Sequence, residues 1–544
     1  MLGGRSMGRA TGSSVGLLVL SFEGRSVVRN WSAWDEVKTG AVLSYGVIFI
    51  QFLVALLYTP VMLRLLGPNE FGLYSLVSAV VGYLSLISFG FAGAYLRFYS
   101  QLRVTEDWRG VRRLNGLFLT VFSALGLFAA LGGVALIVSA DSVLGDAFTA
   151  KEVSTARVLF GVLVVNLVAS FLTTVFNSYV IAHERFIFQR LLLIAGTVVS
   201  PLLALPLLLI GYNSVGVAVA TTVVNVILNI ITVVYSRLRL NMHFAFRGLS
   251  YSQLRDVSVF SGFLFLNMLV DQVNWNADRY IIGRFQGAAA VAVYGVASIL
   301  NLSYMSISTA ISGVLAPRVN RMVASTQPAK EIGDLFVRVG RVQFLVLGFV
   351  VTSFVFFGRA FIEMWAGSDY GDSYIIAVVL MVSVTIPLIQ NLGIEIQKAK
   401  NLHHFRSWVY GVVALGNIAL SIPLTQRYGG IGAATGTAVS LILGNVILMN
   451  WYYHTRVGLD IVNFGRQILR LSVGVVPAVL VGAVLVLAVD LSRLSVFLVS
   501  GLTYFLTYAS GVWWLGMNDY ERELFGLPVR RLMRCFSRRG GIWR

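Results

Sequence analysis

The stretch RLLGPNEFGLYSLVS, residues 64–78, returns 220 positions later as RFQGAAAVAVYGVAS, residues 284–298. Arg64 aligns with Arg284, Gly67 with Gly287, Tyr74 with Tyr294 and Ser78 with Ser298. A second pair follows in the same order at an offset of 216, YNSVGVAVATT (residues 212–222) against YGGIGAATGTA (residues 428–438). There Tyr212, Gly216 and Thr221 meet Tyr428, Gly432 and Thr437, and farther on Asn229 meets Asn445. Either match alone is weak. Two in the same order at nearly one offset point to a duplicated unit.

Composition fixes the solvent in which that unit folds. Of 544 residues, 57% are hydrophobic and 12% charged, and the mean hydropathy is +0.80. A soluble domain carries about 25% charged residues, so the surface of this chain is built for lipid. Fourteen apolar segments are long enough to span a membrane, at roughly 20 residues each. The duplicated unit contains six of them, an even number, so both copies have the same topology about an axis along the membrane normal. The expectation is an all-α polytopic membrane protein with two six-helix repeats in parallel topology plus two C-terminal helices. The boundaries are a cytoplasmic N-terminal arm or interfacial helix over 1–39, a first bundle over 40–238 and a basic linker over 239–256. A second bundle follows over 257–453, then helices 13 and 14 over 470–515 and a basic tail over 516–544.

The net charge of +18 fits the same topology. In a soluble chain it would suggest nucleic acid. Here 34 of the 42 Lys and Arg fall on the side of the termini and 7 on the other. That asymmetry is the positive-inside rule. It puts both termini in the cytoplasm and leaves no call for a nucleic-acid partner. The single cysteine, Cys535, excludes a disulfide framework. The five histidines show no metal spacing, and no glycine loop followed by Lys-Ser/Thr is present to bind ATP. No metal, resident cofactor or catalytic residue is expected.

One span is unusual. NMLVDQVNWNADRY, residues 267–280, crowds polar groups into the seventh span, 257–282. Asn267, Asp271, Asn274 and Asp278 recur at i, i+4, i+7 and i+11, one stripe of a helix. A charged side chain at a helix centre costs roughly 2.5–3.5 kcal/mol to insert. The stripe is therefore expected to face a water-filled cavity between the halves or a cationic partner, with Arg279 beside it. At the same offset Gln51 answers Asp271 and Tyr58 answers Asp278, so the first half offers a polar but uncharged counterpart. Glu395 in the tenth span, near its cytoplasmic end, is a further candidate, as a cavity group or a residue reaching the interface.

Residues 59–101, TPVMLRLLGPNEFGLYSLVSAVVGYLSLISFGFAGAYLRFYSQ, carry a resemblance. Arg64, Gly67, Phe71-Gly72, Gly90 and Arg97-Phe98 resemble the pattern of the polysaccharide-transport (Wzx-like) oligosaccharide flippases. These belong to the multidrug/oligosaccharidyl-lipid/polysaccharide (MOP) exporter superfamily. Phe71 stands where that family often has tyrosine. The resemblance implies a transporter, not an enzyme, that moves an isoprenoid-diphosphate-linked oligosaccharide to the outer leaflet by alternating access. Its partners would be the lipid-linked oligosaccharide, membrane lipids, a glycan polymerase and glycosyltransferases. Arg64, Arg279 and Arg284 are the forked cations suited to a diphosphate, with Arg97 either a further cation or an interface anchor. Asp271 and Asp278 would hold an arginine or bind a coupling H+ or Na+. The alternatives are a cation-coupled multidrug exporter of the same superfamily and a membrane glycan polymerase or ligase.

Overall fold

The computed structural model describes residues 33–526, apart from 89, 248–250, 326–327, 401 and 403. Every regular element among them is helical. The first half comprises α1 (Ala33–Leu84), α2 (Phe91–Val104), α3 (Trp108–Val138), α4 (Ala140–Leu144), α5 (Ala150–Ala182), α6 (Phe186–Leu209) and α7 (Asn213–Leu238). The second comprises α8 (Tyr251–Gln286), α9 (Ala288–Ala324), α10 (Ala329–Trp365), α11 (Ser373–Ile389), α12 (Leu392–Ala399) and α13 (His404–Leu441). α13 runs on through π-helical turns and α14 (Met449–Tyr452) to Val457. α15 (Ile461–Val473), α16 (Val476–Ala488) and α17 (Leu494–Gly511) complete the described chain.

α1 is two helices in one. At Gly67 the backbone takes φ 69° and ψ 171°, a conformation that costs glycine little and other residues much. Pro68 then starts the second limb, where its missing N–H is harmless. Gly287, the residue aligned with Gly67, takes φ 80° and ψ −174° between α8 and α9. The aligned glycines thus share one backbone geometry, and the second limb of α1 holds the place of α9. The other matched pair acts by close approach. A side chain at Gly216 would press on Leu207 of α6, and one at Gly432 would strike the Leu424 backbone in the first limb of α13.

By length and composition nine described helices can cross a membrane, or eleven when each bent pair (α11 with α12, α15 with α16) is one crossing. Two of these, Gly46–Val104 and Phe405–Val457, have 59 and 53 residues, more than twice the ~20 that one crossing needs. The expected fourteen would require both to count twice and α8 to count despite its polar stripe. The chain is a multi-pass membrane protein.

Three boundaries differ from the sequence reading. Residues 33–39, expected as the end of an arm or interfacial helix, are helical and run without interruption into the first span; residues 1–32 lie outside the described residues. α8 begins at Tyr251, inside the expected linker. Residues 519–526 form a helical turn that packs back onto the protein. Its anchor is Glu521, wholly buried, which accepts from Arg341 of α10 at 2.5 Å (Nε) and 2.8 Å (Nη2). Arg341 also donates to the Gln467 carbonyl at 3.0 Å and the Gly516 carbonyl at 3.0 Å. The two terminal spans are thereby tied to α10 through one guanidinium. Residues 527–544, with Cys535, lie outside the described residues.

The two halves meet at the end of the bundle marked by Gly67 and Gly287. Leu73, Leu76, Val77, Val80 and Leu144 from the first half form one core with Ile282, Val291, Tyr294 and Ala297 from the second. Met62, Leu63 and Leu66 pack with Ile362, Trp365 and Tyr370 nearby.

Candidate functional site

α8 is one unbroken helix through residues 267–280, as the stripe requires. Its polar side chains do not share one cavity between the halves. α8 packs against α13 and α9 within the second bundle, and this turns Asn274 and Asp278 into that bundle rather than toward the first half. Gln272 is the residue that faces across: its amide lies 2.7 Å from where a side chain on Gly82 would begin. The Asn267 side chain lies outside the described residues.

Asp278 is 2% exposed. Its Oδ2 accepts from the Tyr294 hydroxyl at 2.5 Å and from Thr437 Oγ1 at 2.5 Å, while Oδ1 has no partner among the described residues. Thr437 Oγ1 is also 2.9 Å from Asn417 Oδ1, to which Ser421 donates at 2.8 Å. A hydroxyl has one proton, so Thr437 cannot donate to both Asp278 and Asn417. Either Asp278 carries a proton and donates to Thr437, which then donates to Asn417, or the Asn417 amide is turned so that its Nδ2 donates to Thr437, which then donates to Asp278. A small cation on the free Oδ1 would compensate the charge instead. No cluster of three or more His, Cys, Asp or Glu exists among the described residues, so a tightly held divalent metal has no ligand set here.

The first half carries an uncharged version of this arrangement. Tyr74, aligned with Tyr294, faces Ser78 and Thr221, the residues aligned with Ser298 and Thr437. With Tyr58, the counterpart of Asp278, they line a cavity of about 300 Å³ that Ser75, Ser200 and Pro201 also border. Residues paired in sequence alone thus meet in space within each bundle.

Two more cavities flank the stripe. Arg279 lines one of about 170 Å³ with Trp275, Asn276, Tyr294, Ser298 and Asn301. Its Nη1 donates to Asn276 Oδ1 at 3.4 Å, and its Nε has no partner among the described residues. Asn274, 4% exposed, has neither amide atom partnered among the described residues. The larger cavity, about 580 Å³, gathers Asp271 of α8, Thr309 and Ser312 of α9, Glu395, Gln397 and Lys398 of α12, and Arg406 and Tyr410 of α13. Asp271 and Glu395, both singled out from sequence, come together here. Glu395 pairs with Lys398, one turn along α12, at 2.9 Å. Gln397, Lys398, Arg406 and Tyr410 were missed. The only signal was that α12 and the start of α13 carry polar residues within apolar segments.

Arg64 and Arg284 stand at the Gly67/Gly287 end, and each reaches across to the other half. The Arg64 guanidinium donates to the Met364 carbonyl at the end of α10. The Arg284 guanidinium covers Gly145, just past α4, in the space a side chain there would need. Met364 and Gly145 differ by 219 positions, within one residue of the repeat offset, so the two contacts are reciprocal. Trp365 Nε1 donates to the Leu56 carbonyl at 3.0 Å and the Tyr370 hydroxyl to the Leu63 carbonyl at 3.5 Å, which adds to the closure. The arginines therefore do not converge on one ligand in this conformation. Gln51 is exposed on the first limb of α1, away from this closure. Arg97 is exposed on α2 and already engaged.

Comparison with known proteins adds four likenesses. The family model described as "Polysaccharide biosynthesis protein" matches residues 37–323. A putative O-antigen transporter of Shigella flexneri is 21% identical over 432 residues, covering 79% of this chain and 98% of that protein. Among solved structures, the lipid II flippase MurJ in an inward closed conformation superposes with a TM-score of 0.67 at 14% identity, over 91% of this chain and 99% of that one. An inward-facing multidrug resistance MATE family transporter of the MOP superfamily gives 0.64 at 13%, over 77% and 98%. At these identities the two structural likenesses are of fold.

Proposed function

The chain belongs to the polysaccharide biosynthesis protein family, and on that premise we propose that it is a flippase. Its cargo is an isoprenoid-diphosphate-linked oligosaccharide, moved from the cytoplasmic to the outer leaflet for cell-surface polysaccharide. The family and the O-antigen transporter relative support the cargo. The MOP-like fold supports a transporter rather than a glycan polymerase or ligase.

The observation that carries the mechanism is the reciprocal closure at one end by Arg64 and Arg284. Two bundles related by an axis along the membrane normal, packed and clasped together at one end, are the parts alternating access needs. The charge asymmetry supports cytoplasmic termini and a clasped end on the outer side. The described state is then closed outward, ready to admit cargo from the cytoplasmic side. Breaking the clasps frees two guanidiniums at the outer mouth, where each suits a phosphate.

Asp278 supplies the coupling. A buried carboxyl with one oxygen free to take a proton or a monovalent cation would tie occupancy by H+ or Na+ to the packing of α8 on α13. The same feature favours a second reading, a cation-coupled drug exporter. In cells lacking the chain, lipid-linked intermediates should build up in the cytoplasmic leaflet. Restoration of export by the intact chain but not by Asp278→Ala supports the flippase. Restored drug resistance without restored export supports the exporter. A glycan polymerase and glycosyltransferases are the expected neighbours in the membrane.

A further inference from the structure

We infer that the cavity of about 580 Å³ between α8, α9, α12 and α13 is a saccharide subsite, which holds one neutral sugar residue of the cargo while the diphosphate lies elsewhere. The inference rests on the proposed function for the identity of the cargo. The chemistry of the cavity is argued independently.

The size falls in the ~300–1,000 Å³ range of small-molecule sites. The charges decide the class of occupant. Asp271 and Glu395 contribute two negative charges, Lys398 and Arg406 two positive ones. An anion such as a diphosphate would meet Asp271 and Glu395 without a net attraction to offset them. A cation would meet Arg406 and Lys398 in the same way. An apolar group would leave the polar lining unpaired. A neutral polyol matches: its hydroxyls donate to the carboxylates and accept from the guanidinium and ammonium.

A second observation points the same way. Gln397 lines this cavity, is 0% exposed, and has both Nε2 and Oε1 without a partner among the described residues. A buried amide left with a free donor and a free acceptor is unusual. The amide is shut off from the cavity in this conformation; turned into it, the side chain would satisfy both atoms on a vicinal pair of sugar hydroxyls. Arg406 is already oriented, with its Nη2 donating to the Tyr410 hydroxyl at 2.7 Å. Lys398 is held by Glu395. The groups that would read hydroxyl positions are thus placed in advance by their own neighbours, which is what selectivity for a sugar requires.

The test uses the full-length protein in lipid nanodiscs and saturation-transfer NMR. The probes are free N-acetylglucosamine, galactose and rhamnose, with sodium pyrophosphate as the anionic comparison. At least one sugar should show saturable contact, and Gln397→Leu should weaken it about tenfold, the equivalent of one lost hydrogen bond at about 1.4 kcal/mol. Should Gln397→Leu fail to fold, Asp271→Asn serves: it gives the cavity a net positive charge, so sugar binding should fall and pyrophosphate binding appear. Saturable pyrophosphate binding to the unaltered protein at this cavity overturns the inference. So does the absence of binding by every sugar, or sugar binding that neither substitution changes. Translocation of a lipid-linked oligosaccharide is measured on the same preparations. Sugar binding without translocation leaves the subsite standing and removes the flippase reading. Translocation without sugar binding removes the subsite alone.

Discussion

Replacing Arg64 and Arg284 by alanine, singly and together, removes the two cross-half clasps. Each substitution deletes a guanidinium that holds the backbone of the opposite half, at Met364 or beside Gly145. Both arginines are exposed, so each contact contributes toward the low end of about 0.5–1.5 kcal/mol. The two contacts share no partner, and distant independent effects add to within about 0.3–0.5 kcal/mol. The double variant should therefore lose about 1 kcal/mol of preference for the closed state, a shift of about 5-fold. Ser142 and Ser368 are exposed positions in the first and second half, each near a clasp, so spin labels there report on the opening. Double electron–electron resonance should show the longer-distance population rise in each single variant and rise multiplicatively in the double. Arginine-to-lysine variants should fall between, because lysine keeps the charge without the planar fork. A double variant with the distance distribution of the unaltered protein would refute the clasp. So would one in which a single substitution has the whole effect.

Asp278→Ala leaves the Tyr294 and Thr437 hydroxyls without their acceptor, at about 1–3 kcal/mol per orphaned group, and should lower the melting temperature. Asp278→Asn should fold but lose dependence on a proton or sodium gradient in proteoliposomes, and gradient-driven uptake by that variant would remove Asp278 from coupling. Glu521→Gln breaks the buried pair with Arg341, a change of about 3–5 kcal/mol. It should expose α15–α17 to limited proteolysis, and an unchanged cleavage pattern would argue against the tie. Single cysteines at Ser142 and Ser368 should react with an impermeant thiol reagent outside intact cells while Cys535 does not, and labelling of Cys535 would invert the topology.

The architecture was legible because it rests on repetition. Gly67 and Gly287 are readable as a pair, and their shared backbone geometry follows from what only glycine tolerates. Tyr74 aligns with Tyr294 and Thr221 with Thr437, and the tyrosine and threonine of each half meet within their own bundle. The direction of the stripe was not legible. Periodicity shows that Asp271 and Asp278 share a face, but not whether that face meets the other half or its own bundle. The packing of α8 on α13 decides this, at a separation of some 160 residues that periodicity does not register. The Arg341–Glu521 pair was hidden for the same reason: a lone arginine in a basic chain and a glutamate in its tail give no sign of each other. The cavity around Asp271 needed α12, whose bend of 45° from α11 brings Glu395 and Gln397 beside α8.

The most direct test of the flippase reading follows a lipid-linked oligosaccharide across a bilayer. The purified protein is reconstituted in vesicles with a fluorescent isoprenoid-diphosphate oligosaccharide, and exposure of the sugar on each face is read with an impermeant glycosidase. The account predicts that cargo passes to the protected leaflet when a proton or sodium gradient is imposed, and that Asp278→Ala abolishes the transfer. Cargo that stays in its original leaflet, with transport of a cationic drug in the same vesicles, would contradict it.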